Sequence, residues 1–181
     1  MTLPLRSRAA LLAFGLTLCA PSVAGAYERQ QHLGFDASGA YMTTSGTGKL
    51  GIDLGLHYTY GLTDAFNFVA DVGWAGFTSS DATGPQPSTI AYGGVGVLYV
   101  FDVLRWVPYA GGIIGPAYFA GGAVPSNFVT PDLQLAAGLD YSFNREWSAG
   151  VAYRQHLFFA KTSDYPEYTS LGLRVEYVWG W

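Results

Sequence analysis

Apolar and polar residues alternate with a period of two along most of the chain, and this pattern constrains the fold more than any other feature. The clearest stretch covers residues 50–60, where large apolar side chains at even positions alternate with Gly, Asp, His and Thr at odd positions. Similar stretches cover residues 33–41, 66–74, 133–143, 149–154 and 171–181. Successive side chains of a β-strand point to opposite faces of its sheet. The pattern therefore predicts strands with one apolar and one polar face.

Two further segments, residues 90–101 and 108–119, are apolar on both faces, so they are predicted as strands whose phase stays open. A run of 26 uncharged residues between Arg105 and Asp132 is also compatible with a transmembrane helix. Four prolines and several glycines within that run disfavour a helix. Pro116 is expected near a strand end or a bulge, because it cannot donate a hydrogen bond to a β-ladder.

The connections between these segments alternate between short and long. Residues 61–65, 102–107 and 144–146 form tight connections, whereas residues 78–88, 121–131 and 160–167 are longer and rich in turn-forming residues. Phe66, Trp106 and Trp147 stand at or just after the tight turns, at spacings of 40 and 41 residues. The repeating unit is therefore a hairpin. Four hairpins predict an all-β fold, an eight-stranded antiparallel up-and-down barrel.

The composition excludes several other classes of protein. Charged residues make up 12% of the chain, about half their usual share of roughly 25%, which excludes a disordered chain and a coiled coil. The chain contains 24 glycines, and each glycine inside a helix costs about 1 kcal/mol, which argues against a helical bundle. The net charge of −4 provides no basic surface, so nucleic acid is not expected as a partner.

Residues 1–26 have the features of a secretory signal peptide. Arg6 and Arg8 precede an uncharged apolar run over residues 9–20, which is too short to span a bilayer. The small residues at positions 24–26 form a cleavage site. We therefore predict a signal peptide over residues 1–26 and one barrel domain over residues 27–181. Cys19 is the sole cysteine and lies in the signal peptide, so disulfide bonds are not expected.

A soluble eight-stranded barrel would show the same alternation with its apolar face inward, but three features favour a transmembrane barrel. The polar face consists mostly of small residues, which suit a crowded lumen better than a water-facing surface. Both lysines, Lys49 and Lys161, lie in or beside predicted loops. Aromatic residues form two bands near the strand ends, as expected at two membrane interfaces. The band beside the short turns comprises Tyr60, Phe66, Trp106, Tyr109, Phe143, Trp147, Trp179 and Trp181, and the band toward the long loops comprises Tyr41, Trp74, Phe77, Tyr118, Phe119, Phe158 and Tyr168.

The signal peptide, the mature length and the final strand together resemble the small outer-membrane β-barrel family of Gram-negative bacteria, the OmpA, OmpX and OmpW type. The resemblance implies that Tyr177, Trp179 and Trp181 form the signal that the barrel-assembly machinery reads during insertion. Glu176 stands where the family often has a glycine, so the match at this end is partial. The resemblance also implies a monomer in the outer membrane that contacts outer-membrane lipids and lipopolysaccharide.

The polar face of the predicted strands supplies the candidate site, because eight strands enclose a space that side chains just fill. Strands one and eight close the barrel, so Arg174 is expected to meet Asp36, and adjacency places Arg154 near Glu176 or Asp140. Two interpretations stay open: an internal salt-bridge network that plugs the barrel, or a narrow acid-lined pathway that favours cations. The predicted lumen network comprises Asp36, Asp53, His57, Asp71, Asp140, Arg154, His156, Arg174 and Glu176.

No catalytic residue, metal site or cofactor is predicted. A serine nucleophile needs an adjacent base and an orienting group, and no such trio is apparent around His57 or His156. The three histidines are far apart in sequence, which disfavours a metal site. The sequence therefore predicts a non-enzymatic structural or surface-interaction role in the outer membrane. The alternatives are a narrow porin-like channel, a transporter of small apolar solutes, and a lipid A-modifying enzyme.

Overall fold

The computed structural model describes residues 28–44, 47–78, 88–101, 105–121, 126–159 and 167–180. Eight antiparallel strands close into one barrel, in which each strand pairs with the next and β8 returns to pair with β1. This confirms the predicted eight-stranded antiparallel transmembrane barrel. The strands are β1 (Gln31–Thr44), β2 (Thr47–Gly61), β3 (Phe66–Phe77), β4 (Thr89–Val100), β5 (Trp106–Ala120), β6 (Phe128–Ser142), β7 (Trp147–Phe158) and β8 (Glu167–Trp179).

The two faces of the strands separate into a buried lumen and an exposed exterior. On β1, Asp36 is buried whereas its neighbours Leu33 and Phe35 are about half exposed, at 52% and 47%. On β8, Glu176 is buried whereas Leu173 is 68% exposed. An apolar exterior with a polar interior is the arrangement of a barrel whose outer surface meets lipid. Among the described residues, no helix is long and apolar enough to cross a membrane.

The two strands with open phase, β4 and β5, line one wall of the lumen with apolar side chains. Even positions of β4 and odd positions of β5 point inward, and these residues join two buried clusters at the two ends of the barrel. Their outward side chains are apolar too, which explains why alternation in the sequence could not assign the phase. The inward residues are Ile90, Tyr92, Leu98, Val100, Val107, Tyr109, Ile113, Ala117 and Phe119.

The prediction of two lipid-facing aromatic bands was correct for some residues and wrong for others. Trp106, Phe143 and Trp147 are exposed beside the short turns. Their rings contact aromatic neighbours on the same surface, such as Trp147 with Tyr177 at a centroid distance of 5.2 Å. Strand parity turns five members inward, because a ring one residue further along faces the lumen. The band members that are buried in the lumen are Phe77, Tyr109, Phe119, Phe158 and Tyr168.

Pro116 lies inside β5, beside an interruption of the β4–β5 ladder. It faces Pro131 of β6 across the β5–β6 ladder. On its other side, β4 and β5 pair through Tyr92 with Ala117 and through Val95 with Ile114, and the positions between these pairs are unpaired. Pro116 was expected near a strand end or at a bulge. It instead lies where pairing with β4 is interrupted, so its missing backbone N–H leaves no ladder hydrogen bond unmade on that side.

Several predicted features lie outside the described residues. These are the signal peptide over residues 1–26 with its cleavage site, Lys161 in a long loop, and Trp181 of the assembly signal. Both the signal peptide and the boundary at residue 27 therefore stay predictions. Lys49 is described, and it lies near the start of β2, where its side chain is buried on the lumen face.

Candidate functional site: the polar lumen

All nine residues of the predicted lumen network lie on inward-facing strand positions. Each is at most 6% exposed to solvent, although they come from six different strands. Alternation within each strand directs these side chains to the same side as the small polar-face residues, away from the apolar exterior. The residues are Asp36, Asp53, His57, Asp71, Asp140, Arg154, His156, Arg174 and Glu176.

Arg154 of β7 connects two carboxylates at the centre of the lumen. Its Nη1 donates to Asp71 Oδ2 at 2.7 Å, and its Nη2 donates to Asp36 Oδ2 at 2.8 Å. These partners differ from Glu176 and Asp140, the ones that strand adjacency suggests. A guanidinium at the end of a long side chain reaches past adjacent strands when the lumen is narrow. The geometry is that of charge-assisted hydrogen bonds, which are the strongest kind in proteins.

His57 of β2 lies between two further carboxylates. Its Nδ1 is 2.8 Å from Asp36 Oδ2, and its Nε2 is 2.8 Å from Glu176 Oε1. Arg174 completes the group, with its Nη2 2.7 Å from His57 Nε2 and in contact with Glu176 Oε1. The imidazole lies over Gly34, where any side chain would collide with the ring. The glycine at this position therefore makes room for the histidine.

The network continues toward the short-turn end of the barrel. Glu176 Oε2 lies 3.2 Å from His32 Nδ1 and accepts a hydrogen bond from Ser148 Oγ at 3.3 Å. Arg174 Nε is 3.9 Å from Asp140 Oδ2 and 4.0 Å from Asp36 Oδ1, so the expected approach of Arg174 to Asp36 is present as a long ion pair. Beside these residues is a small cavity of about 30 Å³, which Asp140, Glu176 and the apolar β4–β5 wall line.

Toward the long-loop end, a second polar group is enclosed by aromatic and apolar side chains. His156 Nδ1 is 2.7 Å from Asp132 Oδ2, and the imidazole stacks on Tyr168 at a centroid distance of 4.0 Å. Tyr92 donates to Asp53 Oδ1 at 2.8 Å. An apolar cluster that includes Phe77, Phe119, Phe158 and Ile90 surrounds this group. His156, Asp132 and Tyr168 are completely buried, so this end of the lumen is filled.

Sequence reasoning missed four residues of the lumen network. Asp132 and Gln134 begin the alternating part of β6, and Gln134 Nε2 lies 3.5 Å from Asp71 Oδ1. Tyr92 lies on a strand whose phase stayed open, and Tyr168 was assigned to the lipid-facing aromatic band. The alternation of β6 itself contained the signal for Asp132 and Gln134, because both share parity with Asp140.

Among the described residues, acidic side chains outnumber basic side chains in the lumen. Six carboxylates face three basic side chains there, and the histidines His32, His57 and His156 each contact a carboxylate. Buried charges of this kind are tolerated when they are paired and hydrogen-bonded. The carboxylates are those of Asp36, Asp53, Asp71, Asp132, Asp140 and Glu176, and the basic side chains are those of Lys49, Arg154 and Arg174.

This arrangement suits cross-linking of the wall better than catalysis. The hydroxyl of Ser148 contacts Glu176 as a donor to a paired carboxylate, and nucleophilic activation would require a free base in that place. Within the described ranges, no group of three or more His, Cys, Asp or Glu side chains is positioned to hold a metal ion. The described lumen is therefore cross-linked by hydrogen-bonded ion pairs.

Comparison with known proteins agrees with this architecture. The sequence profile of the outer membrane protein beta-barrel domain matches residues 10–178 of the chain. No curated protein gave a match.

Among solved structures, Neisserial surface protein A aligns with a TM-score of 0.66 and 18% identity, covering 81% of this chain and 96% of that protein. The N-terminal barrel of Pseudomonas aeruginosa OprF aligns with a TM-score of 0.61 and 15% identity, covering 84% of this chain and 98% of that barrel. Ail, the attachment invasion locus protein of Yersinia pestis, aligns with a TM-score of 0.54 and 17% identity, covering 84% of this chain and 99% of that protein. At these identities the comparisons establish a shared fold.

Proposed function

The chain belongs to the outer membrane protein beta-barrel domain family, and from this we propose that it is a closed barrel of a Gram-negative outer membrane. Its role is non-enzymatic, in membrane structure or in surface interaction through its long loops. The signal peptide is removed on export, and the short turns face the periplasm. The protein is a monomer that contacts outer-membrane lipids and lipopolysaccharide, and the barrel-assembly machinery inserts it.

The observation that supports this proposal is that side chains meet across the lumen at two levels. At mid-height, Arg154 joins Asp36 and Asp71 across the barrel at 2.8 and 2.7 Å. Toward the long loops, the completely buried His156, Tyr168 and Phe119 fill the cross-section. A solute or hydrated ion needs a continuous wet path, and these two layers interrupt it. A barrel of eight strands has an interior that side chains just fill, so a closed lumen is its ordinary state.

The exterior supports membrane insertion. Every strand presents apolar side chains outward, including Leu54, Val72 and Leu173, which are 39%, 59% and 68% exposed. Such a surface is compatible with hydrocarbon and costly in water. Ail aligns with this fold, and its name describes an attachment and invasion protein. That likeness motivates a test of surface attachment for this chain.

Planar-bilayer recordings of the purified full-length barrel test the closed lumen. We expect no sustained ion conductance from the wild type. The double variant Arg154→Ala, Tyr168→Ala removes one residue from each blocking layer, and we expect it to conduct. A wild-type conductance equal to that of the double variant would overturn the closed-lumen proposal.

A gel of the isolated outer-membrane fraction, loaded unheated and boiled, tests the location. A closed barrel resists detergent when cold and changes its migration after heat unfolds it, so a shift in that fraction is expected. Recovery from the periplasmic fraction without a shift would contradict the location. For the surface role, cells with and without the protein are compared for attachment to host-cell layers and for resistance to detergent.

A narrow cation pathway is the second candidate, because the small cavity of about 30 Å³ at the short-turn end is lined by Asp140 and Glu176. This function predicts a cation-selective conductance that falls in the Asp53→Asn, Asp71→Asn double variant. Anion selectivity, or no effect of the double variant, would exclude it. A change in lipid A mass after expression would instead indicate an enzyme.

A further inference from the structure

Four side chains form a hydrogen-bonded group on the outside of the barrel near the long-loop end, which we call the rim patch. It consists of Tyr153 and Gln155 of β7 and Glu167 and Thr169 of β8. Gln155 and Thr169 are direct cross-strand partners, and Glu167 begins β8. All four stand at odd positions, which face outward on these two strands.

The hydrogen bonds of the rim patch converge on Gln155. Tyr153 donates its hydroxyl to Gln155 Oε1 at 2.9 Å, and Thr169 Oγ1 donates to the same oxygen at 2.6 Å. Gln155 Nε2 in turn donates to Glu167 Oε2 at 2.8 Å. Both hydroxyl protons and one amide proton are thereby used within the patch. What remains on the outward side is mainly acceptor capacity, above all that of the Glu167 carboxylate.

The position of the patch in the outward face indicates its depth. On the same strands, the next outward residues toward the short turns are apolar: Val151 is 47% exposed, and Leu171 and Leu173 are 62% and 68% exposed. A charge on the lipid face is costly at mid-bilayer, and the cost falls toward the interface. The change from Leu171 to Thr169 and Glu167 therefore marks where hydrocarbon gives way to lipid headgroups.

The patch is confined to one side of the barrel. Elsewhere near the long-loop end, the outward side chains include Tyr41 of β1, Trp74 of β3 and Tyr118 of β5. Tyr118 accepts a hydrogen bond from Asn127 at 2.8 Å, which makes a second exterior polar pair without a carboxylate. A partner that binds through donors to a carboxylate would therefore favour the β7–β8 side.

We propose that the rim patch binds the sugar hydroxyl groups of an outer-leaflet glycolipid, with Glu167 as the accepting residue and Gln155 as the residue that holds its carboxylate in place. A hydroxyl-rich headgroup supplies several donors at the depth where the patch lacks them. The carboxylate strengthens each hydrogen bond that it accepts. The inference rests on the proposed function, which places the long-loop end of the barrel in the outer leaflet.

The test measures binding of purified lipopolysaccharide to the full-length barrel in detergent micelles, in parallel with and without EDTA. Titration calorimetry gives the affinity, and native mass spectrometry counts the bound molecules. The probe variants are Glu167→Gln and Gln155→Leu. The matched control is Asn127→Ala, which removes the other exterior polar pair. Unheated gels verify that every variant is a folded barrel.

We expect the affinity to fall about tenfold in Glu167→Gln, which removes a charged acceptor. Gln155→Leu should lower the affinity too, because it removes the amide that holds the Glu167 carboxylate, and Asn127→Ala should bind as the wild type does. Equal binding by all four proteins would overturn the proposal. Binding seen only without EDTA would assign the contact to a divalent cation, and stronger binding of phosphatidylethanolamine vesicles would assign it to an ammonium headgroup. Both results would also overturn it.

Failure of this inference and failure of the proposed function are distinguishable. The closed lumen is tested by conductance and the location by fractionation, and neither depends on the rim patch. A closed barrel in the outer-membrane fraction whose probe variants bind lipopolysaccharide normally would retain the proposed function and lose the binding site.

Discussion

Arg154 of β7 and Asp71 of β3 form a hydrogen-bonded ion pair at 2.7 Å, although their strands are diametrically opposite in the closed ring of eight. The same guanidinium also reaches Asp36 of β1 at 2.8 Å. One side chain therefore connects three strands that do not pair with each other. This cross-bracing makes the lumen network a determinant of both stability and closure.

Removal of Arg154 should be strongly destabilising. Arg154→Leu leaves the carboxylates of Asp36 and Asp71 buried with one partner fewer, and breaking a buried ion pair costs about 3–5 kcal/mol of the free energy of unfolding. Urea titration of the barrel in lipid vesicles measures this loss. The matched control is Arg145→Leu, because Arg145 is exposed in the turn before β7 and a surface change of this kind stays within about 0.5 kcal/mol.

The origin of that loss can be tested by removing the charges together. The triple variant Arg154→Met, Asp36→Asn, Asp71→Asn should be more stable than Arg154→Met alone, because it leaves no uncompensated carboxylate at the centre. If the triple variant were the less stable of the two, the loss would come from packing of the arginine side chain.

Two buried tyrosines provide a matched test of hydrogen bonding. Tyr92→Phe removes the donor to Asp53 Oδ1 and should lower the free energy of unfolding by about 1–3 kcal/mol. The hydroxyl of Tyr168 has no hydrogen-bond partner among the residues that the structure describes. Tyr168→Phe should therefore leave stability unchanged or raise it. Urea unfolding followed by tryptophan fluorescence compares the two variants, and an equal loss in both would contradict the assignment.

Two glycines on neighbouring strands differ in the space around them. The ring of Tyr109 lies across Gly138 of β6, so a side chain there would collide with the ring and with the carbonyl of Val151. Gly138→Ala should cost about 1–3 kcal/mol, as overpacking does. At Gly112 of β5, an added Cβ would lie 4.0 Å from its nearest neighbour, the carbonyl oxygen of Gln134. Gly112→Ala should therefore leave stability unchanged or slightly raised. Thermal shifts of the gel transition measure both.

The outward face can be tested by placing a charge on it. Val72 is 59% exposed in the middle of β3, and Val72→Arg should cost about 2–4 kcal/mol in a bilayer. Leu62 lies in a short turn and is 49% exposed, so Leu62→Arg should cost at most about 1 kcal/mol. The fraction folded after insertion into lipid vesicles measures the difference. Equal tolerance of both variants would indicate that the outward face does not contact lipid.

Sequence alternation predicted the strand number, the hairpin order and the face of each alternating strand. It could not assign the phase of β4 and β5, because both faces of these strands are apolar. It also misplaced Tyr109 and Tyr168, which were expected at the membrane interface and are buried in the lumen. Position near a strand end indicates depth in the membrane, whereas parity decides between lipid and lumen.

In the candidate site, the sequence predicted which way each side chain faces but not which partner it contacts. Every residue of the predicted lumen network faces the lumen, since parity directs each of them there. The hydrogen-bond partners could not be predicted in the same way. Arg154 was expected beside Glu176 or Asp140, but it contacts Asp36 and Asp71. The pairing of Tyr92 with Asp53 had no precursor in the sequence pattern.

By itself, the sequence determined the fold class of this protein, its strand order and most of the charged residues that enter its interior from the alternating strands. These properties are local, because period-two alternation needs no knowledge of neighbouring strands. Only the tertiary structure decided which carboxylate each arginine and histidine contacts, and which side chains meet across the lumen. Closure of the barrel brings β3 and β7 to opposite sides of a narrow lumen, and the reach of the long side chains across it then selects their partners.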